Sequence, residues 1–196
     1  NRYSKSELCL ASVTVGILRD GRVEPVRPVT RGGSREIRLA PGEEAWSDET
    51  ELTVRAGDRL AVTSYVDRVQ GVESVCAFWS AAGPLVQLGR SGDHTDGSPF
   101  ESVPCAEIYP VIAMDANPVK AYFFYGLSGV QVLTDDRVKT VAMFGDSITH
   151  MAFVSNALAA RLASAYPGRV SVINRGIGGN RLLYDATKGG FLPAEG

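Results

Sequence analysis

The chain has 196 residues, of which 44% are hydrophobic and 21% charged, and its formal net charge is −2 at pH 7. This composition is typical of a globular protein with one large domain or two small ones. It has no basic footprint for nucleic acid, and no apolar run approaches the roughly 20 residues needed to cross a bilayer. We therefore expect neither nucleic acid nor a membrane among its partners.

The cysteines and histidines are few and form no recognisable site. Cys9, Cys76 and Cys105 are widely spaced and make no CxxC or metal-binding pattern. Their odd number favours buried reduced thiols, with one disulfide plus a free thiol as the alternative. With only His94 and His150, a zinc site is not expected, and we predict no cofactor. The first residue is Asn and no signal peptide is present, so we expect the true N-terminus upstream. The compartment is left open, with a slight leaning to the cytoplasm.

Residues 1–136 have the sequence pattern of a β-domain. Short apolar or alternating runs are separated by turn signals such as Asp20-Gly21 and Pro41-Gly42. This density predicts a β-sandwich, jelly-roll-like domain. The predicted strands are 8–18, 23–29, 36–39, 51–54, 59–66, 108–114 and 120–126.

A long irregular stretch rich in Gly, Pro, Asp and Ser interrupts this pattern at 82–104. Loops of this length are uncommon in compact domains and are often functional. A mobile, solvated loop explains the composition equally well.

After a charged break at 135–137, the pattern changes from strand and turn to strand and helix. A buried strand is predicted at 140–144, a helix from about 150 to 165, and a second strand at 170–173. These elements make one βαβ unit, whose strands should be parallel with a right-handed crossover. We therefore place a second, α/β domain at 137–196.

The most informative stretch reads VAMFGDSIT at 141–149. Gly145 ends the predicted strand, and Asp146 and Ser147 stand where the strand passes to the helix. In an open α/β sheet, ligands bind in the crevice outside the carboxyl end of a strand. Ser147 could be a nucleophile above the positive end of the helix. Alternatively, Asp146 and Ser147 could simply cap the helix, and spacing alone does not decide between these interpretations.

Two blocks of this region together resemble the SGNH, or GDSL-type, hydrolases. GDSIT at 145–149 resembles the first block of that family, and VINRGIGGNRLL at 172–183 resembles the second. The resemblance implies that Ser147 is the nucleophile and that the N–H groups of Ser147 and Gly179 form the oxyanion hole. It also implies that residues 137–196 are the first βαβ part of a flavodoxin-like hydrolase domain.

Asp146, which precedes Ser147, and Asn180, which follows Gly179, are expected to stabilise the two turns rather than to take part in the reaction.

The first domain carries a looser resemblance. APGEEAWSDE at 40–49 and LTVRAGDRLAV at 52–62 are similar to a β-domain that precedes the catalytic domain in one branch of these esterases. That branch is xylanase-associated and carbohydrate-esterase-like, and its second block commonly reads GIGGNR, as residues 176–181 do. The resemblance implies an acetyl ester of a carbohydrate, or of another small molecule, as the substrate.

Two later blocks of the family do not occur in this sequence. These are a Gly-x-Asn-Asp block and the Asp-x-x-His pair that supplies the base and its orienting acid. His150 lies three residues after Ser147, where its imidazolium would face the positive end of its own helix. We therefore expect the base and the acid to come from outside this chain, for instance from a second chain. We also expect the two-stranded sheet to leave an apolar edge and face uncovered.

Two other functions remain open. One is a non-catalytic carbohydrate-binding module with a vestigial hydrolase segment, in which Trp46, Trp79 or Tyr109 stacks on sugar rings. The other is a lipid or thioester hydrolase of the same superfamily.

Overall fold

The computed structural model describes residues 1–71, 76–78, 87–89, 92–101, 122–135 and 137–181. These residues are mainly strands in small antiparallel sheets, with two helices, so the protein is mixed α/β. The chain divides into two compact units. The first unit holds residues 1–71 and most of the other described residues up to 131. The second unit holds Phe78, Tyr122, 132–135 and 137–181.

The elements follow one another in a simple order, with strands first and both helices inside the second unit. Their bounds are β1 (Leu8–Leu10), β2 (Ser12–Arg19), β3 (Arg22–Pro28), β4 (Ile37–Leu39), β5 (Leu60–Tyr65), β6 (Cys76–Phe78), β7 (Tyr122–Phe124), β8 (Lys139–Gly145), α1 (Ser147–His150), α2 (Phe153–Ala165) and β9 (Val170–Gly176).

The hairpin predicted at the start of the chain is confirmed. β2 and β3 are antiparallel and are joined by Asp20 and Gly21, whose φ angles are +49° and +78°. Two positive φ angles in a two-residue loop match the right-handed twist of the flanking strands. The long run predicted as one strand is divided at Ala11, because β1 pairs with β4 whereas β2 pairs with β3 and β5.

The apolar core of the first unit lies beneath β1, β2 and β4. The strands expected at 36–39 and 59–66 are present as β4 and β5, and β5 completes a sheet of order β3–β2–β5. Leucine and valine side chains from β1, β2 and β4 pack together where the chain passes from the β1–β4 sheet to the β3–β2–β5 sheet. The buried cluster consists of Leu8, Leu10, Val13 and Leu39. Burial of these apolar side chains stabilises this unit.

Asp48 ties the turn at residues 31–34 to the segment that follows β4. Its carboxylate accepts the main-chain N–H groups of Gly33 at 2.8 Å and Gly32 at 2.9 Å, and the Thr30 hydroxyl at 2.7 Å. These hydrogen bonds, that of Gly33 first, lower the pKa of the Asp48 carboxyl because they favour the charged form. The Asp48 carboxylate thus stabilises the turn at residues 31–34.

Cys9 is a buried free thiol on β1. Burial raises the pKa of this thiol, since the thiolate would lose its hydration. This fits the expectation of a reduced thiol for Cys9, while the side chains of Cys76 and Cys105 lie outside the described residues.

Two strand predictions in the first domain need correction or fall outside the described residues. The strand predicted at 51–54 is wrong, because no strand is formed there. The carbonyl of Glu51 accepts the Nε–H of Arg27 at 3.2 Å instead of a main-chain N–H. The strand predicted at 108–114 lies outside the described residues. The strand predicted at 120–126 is present as the short β7, which pairs with β6.

Part of the predicted loop is firmly attached to the first unit. Residues 92–101 form neither helix nor strand, as expected, but Thr95 is buried. Its carbonyl accepts the Thr14 hydroxyl at 2.8 Å, and its own hydroxyl lies 2.9 Å from that of Ser12. This portion therefore packs on β2 and is not a free solvated loop.

The second unit confirms the predicted βαβ order. β8 and β9 pair in parallel, with α1 and α2 between them along the chain. The helix predicted from about 150 to 165 is present as α2, but it begins at Phe153, because Ala152 with a φ of +67° separates it from α1. A left-handed residue cannot continue the ladder of i→i−4 hydrogen bonds.

The strand predicted at 140–144 is present as β8, but the prediction that it is buried is wrong. Phe144 is 80% exposed and Val141 is 37% exposed. Parallel sheets are normally covered on both faces. Here the helices pack on one face. The opposite face is uncovered, as expected, but only half of its side chains are apolar. That open face carries Thr140, Ala142, Phe144, Ser171, Ile173 and Arg175.

Within the ranges that the structure describes, neither helix has the length and apolar character needed to span a membrane.

Candidate active site at the ends of β8 and β9

Ser147 is the first residue of α1 and follows the carboxyl end of β8 by two positions. The N-cap is Asp146, whose Oδ1 accepts the main-chain N–H of Ile148 at 3.0 Å. This arrangement gives the capping role to Asp146 alone. The half-buried Ser147 side chain is therefore not used as the cap of the helix.

Two glycines bring α1 close to the strand ends. Gly145 and Gly176 are register partners at the ends of β8 and β9. A Cβ on Gly145 would overlap the hydroxyl of Thr149. A Cβ on Gly176 would lie 2.8 Å from the carbonyl carbon of Thr149 and 2.9 Å from the Cα of His150. Only glycine permits this main-chain packing.

The glycine-rich turn after β9 is attached to β8. The N–H of Ile177 donates to the Gly145 carbonyl at 2.9 Å, and the N–H of Asn180 donates to the Ile177 carbonyl at 3.1 Å. Gly179 has a φ of +77°, which is in the left-handed region that favours glycine. Asn180 therefore closes the turn through its main chain. Ser147 and Gly179 lie on segments that leave neighbouring strand ends.

Asn174 was not among the residues predicted from the sequence, yet it is the most connected side chain of this region. Its Nδ2 donates to the Thr149 carbonyl at 2.5 Å and to the Ser155 hydroxyl at 3.0 Å, and its Oδ1 accepts the N–H of Gly176 at 2.8 Å. The sequence pattern of β9 could have identified Asn174. Asn174 occupies the inward-facing register of β9, where a polar side chain needs partners.

The helix dipole contributes less at Ser147 than the sequence predicted. The long helix begins at Phe153, so a single turn of four residues starts at Ser147. A macrodipole grows with the number of aligned peptide units, and one turn supplies little of it. The local donors near Ser147 therefore matter more than the field of a long helix.

Among the described residues, the Ser147 hydroxyl forms no hydrogen bond with a histidine side chain. His94 belongs to the first unit, with its Nδ1 at 3.2 Å from the Ser98 hydroxyl and its ring stacked on Phe100 at 5.0 Å. His150 ends α1, and its main-chain N–H donates to the Asp146 carbonyl. The described residues also contain no cluster of three or more His, Cys, Asp or Glu suited to a metal ion.

Comparison with known proteins adds no assignment. No protein-family model matches the chain, and no curated protein is significantly similar to it in sequence. The function is therefore inferred from the site and from its two motifs.

Proposed function

We propose that the chain carries the nucleophile and oxyanion hole of an SGNH-type serine esterase that hydrolyses acetyl esters of carbohydrate. The observation that carries the proposal is the attachment of the glycine-rich turn to Gly145. This attachment brings the segment of Gly179 to the strand end from which Ser147 departs. A nucleophile beside main-chain donors is the arrangement that acyl transfer needs.

The chemistry follows the usual course of a serine hydrolase. The Ser147 oxygen attacks the ester carbonyl carbon, the C–O bond to the sugar breaks, and the alcohol leaves with a proton. Water then hydrolyses the acetyl-enzyme to acetate. The N–H groups of Ser147 and Gly179 would stabilise the oxyanion, each by about 3 kcal/mol. An aspartate and a histidine from outside this chain would complete the triad.

The proposal extends to architecture. The first unit would be a jelly-roll-like β-sandwich, and the second would be the first part of a flavodoxin-like sheet. The small antiparallel sheets of the first unit and the parallel β8–β9 pair of the second support this.

Chemical rescue tests the proposal on the chain itself. We expect p-nitrophenyl acetate to acetylate Ser147, as mapped by peptide mass spectrometry, and external imidazole to speed this reaction by replacing the missing base. Ser147→Ala should abolish the imidazole-dependent release of p-nitrophenol above the blank. Acetylated xylan oligosaccharides then replace the nitrophenyl ester to test whether the chain accepts a carbohydrate as the alcohol part of the ester.

Ser171 provides the matched control. It is an exposed serine on the open face of the same sheet. Ser171→Ala should retain the imidazole-dependent rate. An unchanged rate in Ser147→Ala, or equal acetylation of Ser147 and Ser171 in the parent chain, would contradict the nucleophile assignment.

One observation favours the carbohydrate-binding alternative. Trp46 in the first unit is 67% exposed, which suits stacking on a sugar ring. Trp79 and Tyr109, the other two candidates, lie outside the described residues. If this alternative held, Trp46→Ala would weaken binding to xylan in a pull-down, and Ser147→Ala would change nothing.

A further inference from the structure

The side chain of Asn174 reaches three segments of the second unit at once. It holds the carbonyl of Thr149 in α1, the hydroxyl of Ser155 in α2 and the N–H of Gly176 at the end of β9. The two Nδ2 hydrogens each have an acceptor, and Oδ1 has a donor. Ser155, which is only 4% exposed, in turn donates to the carbonyl of Ala152 at 3.2 Å.

These contacts lie where the main-chain ladder is interrupted. Because α1 ends at His150, the carbonyl of Thr149 lacks the N–H donor four residues later that a longer helix would supply. The Thr149 carbonyl accepts the N–H of Ala152 at 3.0 Å and the Asn174 amide. Asn174 therefore replaces helix continuation with an attachment of α1 to β9.

The same side chain controls the start of the glycine-rich turn. The N–H of Gly176 points to Asn174 Oδ1, and the next residue, Ile177, donates to Gly145. Every buried side-chain nitrogen and oxygen in the described part of the chain has a partner, so this network is complete. A completed polar network of this kind fixes one geometry.

We propose that Asn174 is a positioning residue that fixes α1, and with it Ser147, against the turn that carries Gly179. This inference rests on the proposed function of Ser147 and Gly179. Asn174 touches neither the substrate nor the nucleophile. It acts by keeping the serine and the oxyanion donors at one separation, and small errors in such a separation are costly to rate.

Two substitutions distinguish the contacts of Asn174 Nδ2 from the contact of its Oδ1. Asn174→Ala removes all three contacts. Asn174→Asp keeps an acceptor for the Gly176 N–H but turns an oxygen towards the Thr149 carbonyl, which repels it. Amide hydrogen exchange of Gly176 reports on the network whether or not Ser147 reacts. We expect this amide to exchange about tenfold faster in Asn174→Ala and within about twofold of the parent chain in Asn174→Asp.

The second readout is the rate of Ser147 acetylation by p-nitrophenyl acetate with imidazole present. Both variants should lose at least about tenfold in the maximal rate, with the half-saturating ester concentration nearly unchanged. Leu158→Ala in α2 is the control for general destabilisation. At a comparable loss of melting temperature, it should acetylate Ser147 at the parent rate.

The outcomes distinguish the two hypotheses. Parent-like acetylation in both Asn174 variants would overturn the positioning role, and so would a matching loss in Leu158→Ala. Unchanged Gly176 exchange in Asn174→Ala would overturn the network itself. Absence of Ser147 acetylation in the parent chain would instead refute the proposed function, while the exchange result would stand on its own.

Discussion

The carbonyl of Gly145 accepts a hydrogen bond from the main-chain N–H of Ile177 at 2.9 Å. This bond continues the parallel ladder of β8 and β9 beyond their last register pair, Gly145 and Gly176. It attaches the glycine-rich turn to the residue that precedes Asp146. The candidate nucleophile and the candidate oxyanion donor are thereby linked through one main-chain position.

Gly176→Ala should destabilise the protein and disturb the site together. The added Cβ would lie 2.8 Å from the Thr149 carbonyl carbon and 2.9 Å from the His150 Cα, so α1 must move. Overpacking of this kind typically costs about 1–3 kcal/mol. We expect a lower melting temperature and slower acetylation of Ser147.

Gly129→Ala is the matched control for that substitution. Gly129 has no atom within 4 Å of an added Cβ, and its φ is not positive. Its variant should melt and react like the parent chain. A Gly176→Ala protein with unchanged melting temperature would contradict the close approach of α1.

The features that the sequence predicted correctly depend on local chemistry. Asp20-Gly21 forms the expected hairpin turn because both residues tolerate positive φ. The glycine-rich second motif likewise forms a turn, in which Gly176 permits the close approach of α1 and Gly179 adopts a positive φ. Short apolar runs bounded by such turns were therefore recognisable as strands.

The features that were missed depend on contacts distant in sequence. The break at Ala152 has neither Gly nor Pro to mark it, and Ala152 is buried. Thr95 looks like part of a solvated loop until its bonds to Ser12 and Thr14 are seen. Asn174 matters because α1 and α2 converge on it, which no single stretch of sequence reveals.

Asp48→Asn should weaken the first unit in a pH-dependent way. The hydrogen bonds from Gly33, Thr30 and Gly32 lower the pKa of the Asp48 carboxyl in the folded state. The folded state then binds fewer protons than the unfolded state in the acidic range. The stabilisation from Asp48 is therefore complete above the unfolded pKa of about 3.9 and is lost as the pH falls through the lower folded value.

The measurement is the melting temperature of parent and variant from neutral pH into the acidic range. We expect the parent chain to be more stable at neutral pH, and the gap to close below about pH 4. Glu49→Gln removes one negative charge from the exposed neighbouring residue and should show no such gap. A gap that persisted unchanged at low pH would argue that Asp48 acts through shape and not through charge.

Gly179→Ala tests the oxyanion donor, and a second glycine isolates the chemical effect. Gly179 has a φ of +77°, and an alanine there would be strained by about 1–2 kcal/mol. The strain favours rotation of the adjoining peptide and so misdirects the N–H of residue 179. We expect the rate of Ser147 acetylation to fall about a hundredfold, the size of a lost oxyanion donor.

Gly168→Ala should cause the same backbone strain without affecting an oxyanion donor. Gly168 has a φ of +67°, lies between α2 and β9, and has open space around an added Cβ. Both variants should lose a similar amount of melting temperature, because both place a side chain in the left-handed region. Only Gly179→Ala should lose the acetylation rate. If the two variants reacted equally well once folded, the glycines of the second motif would serve packing alone, and the oxyanion role of Gly179 would be wrong.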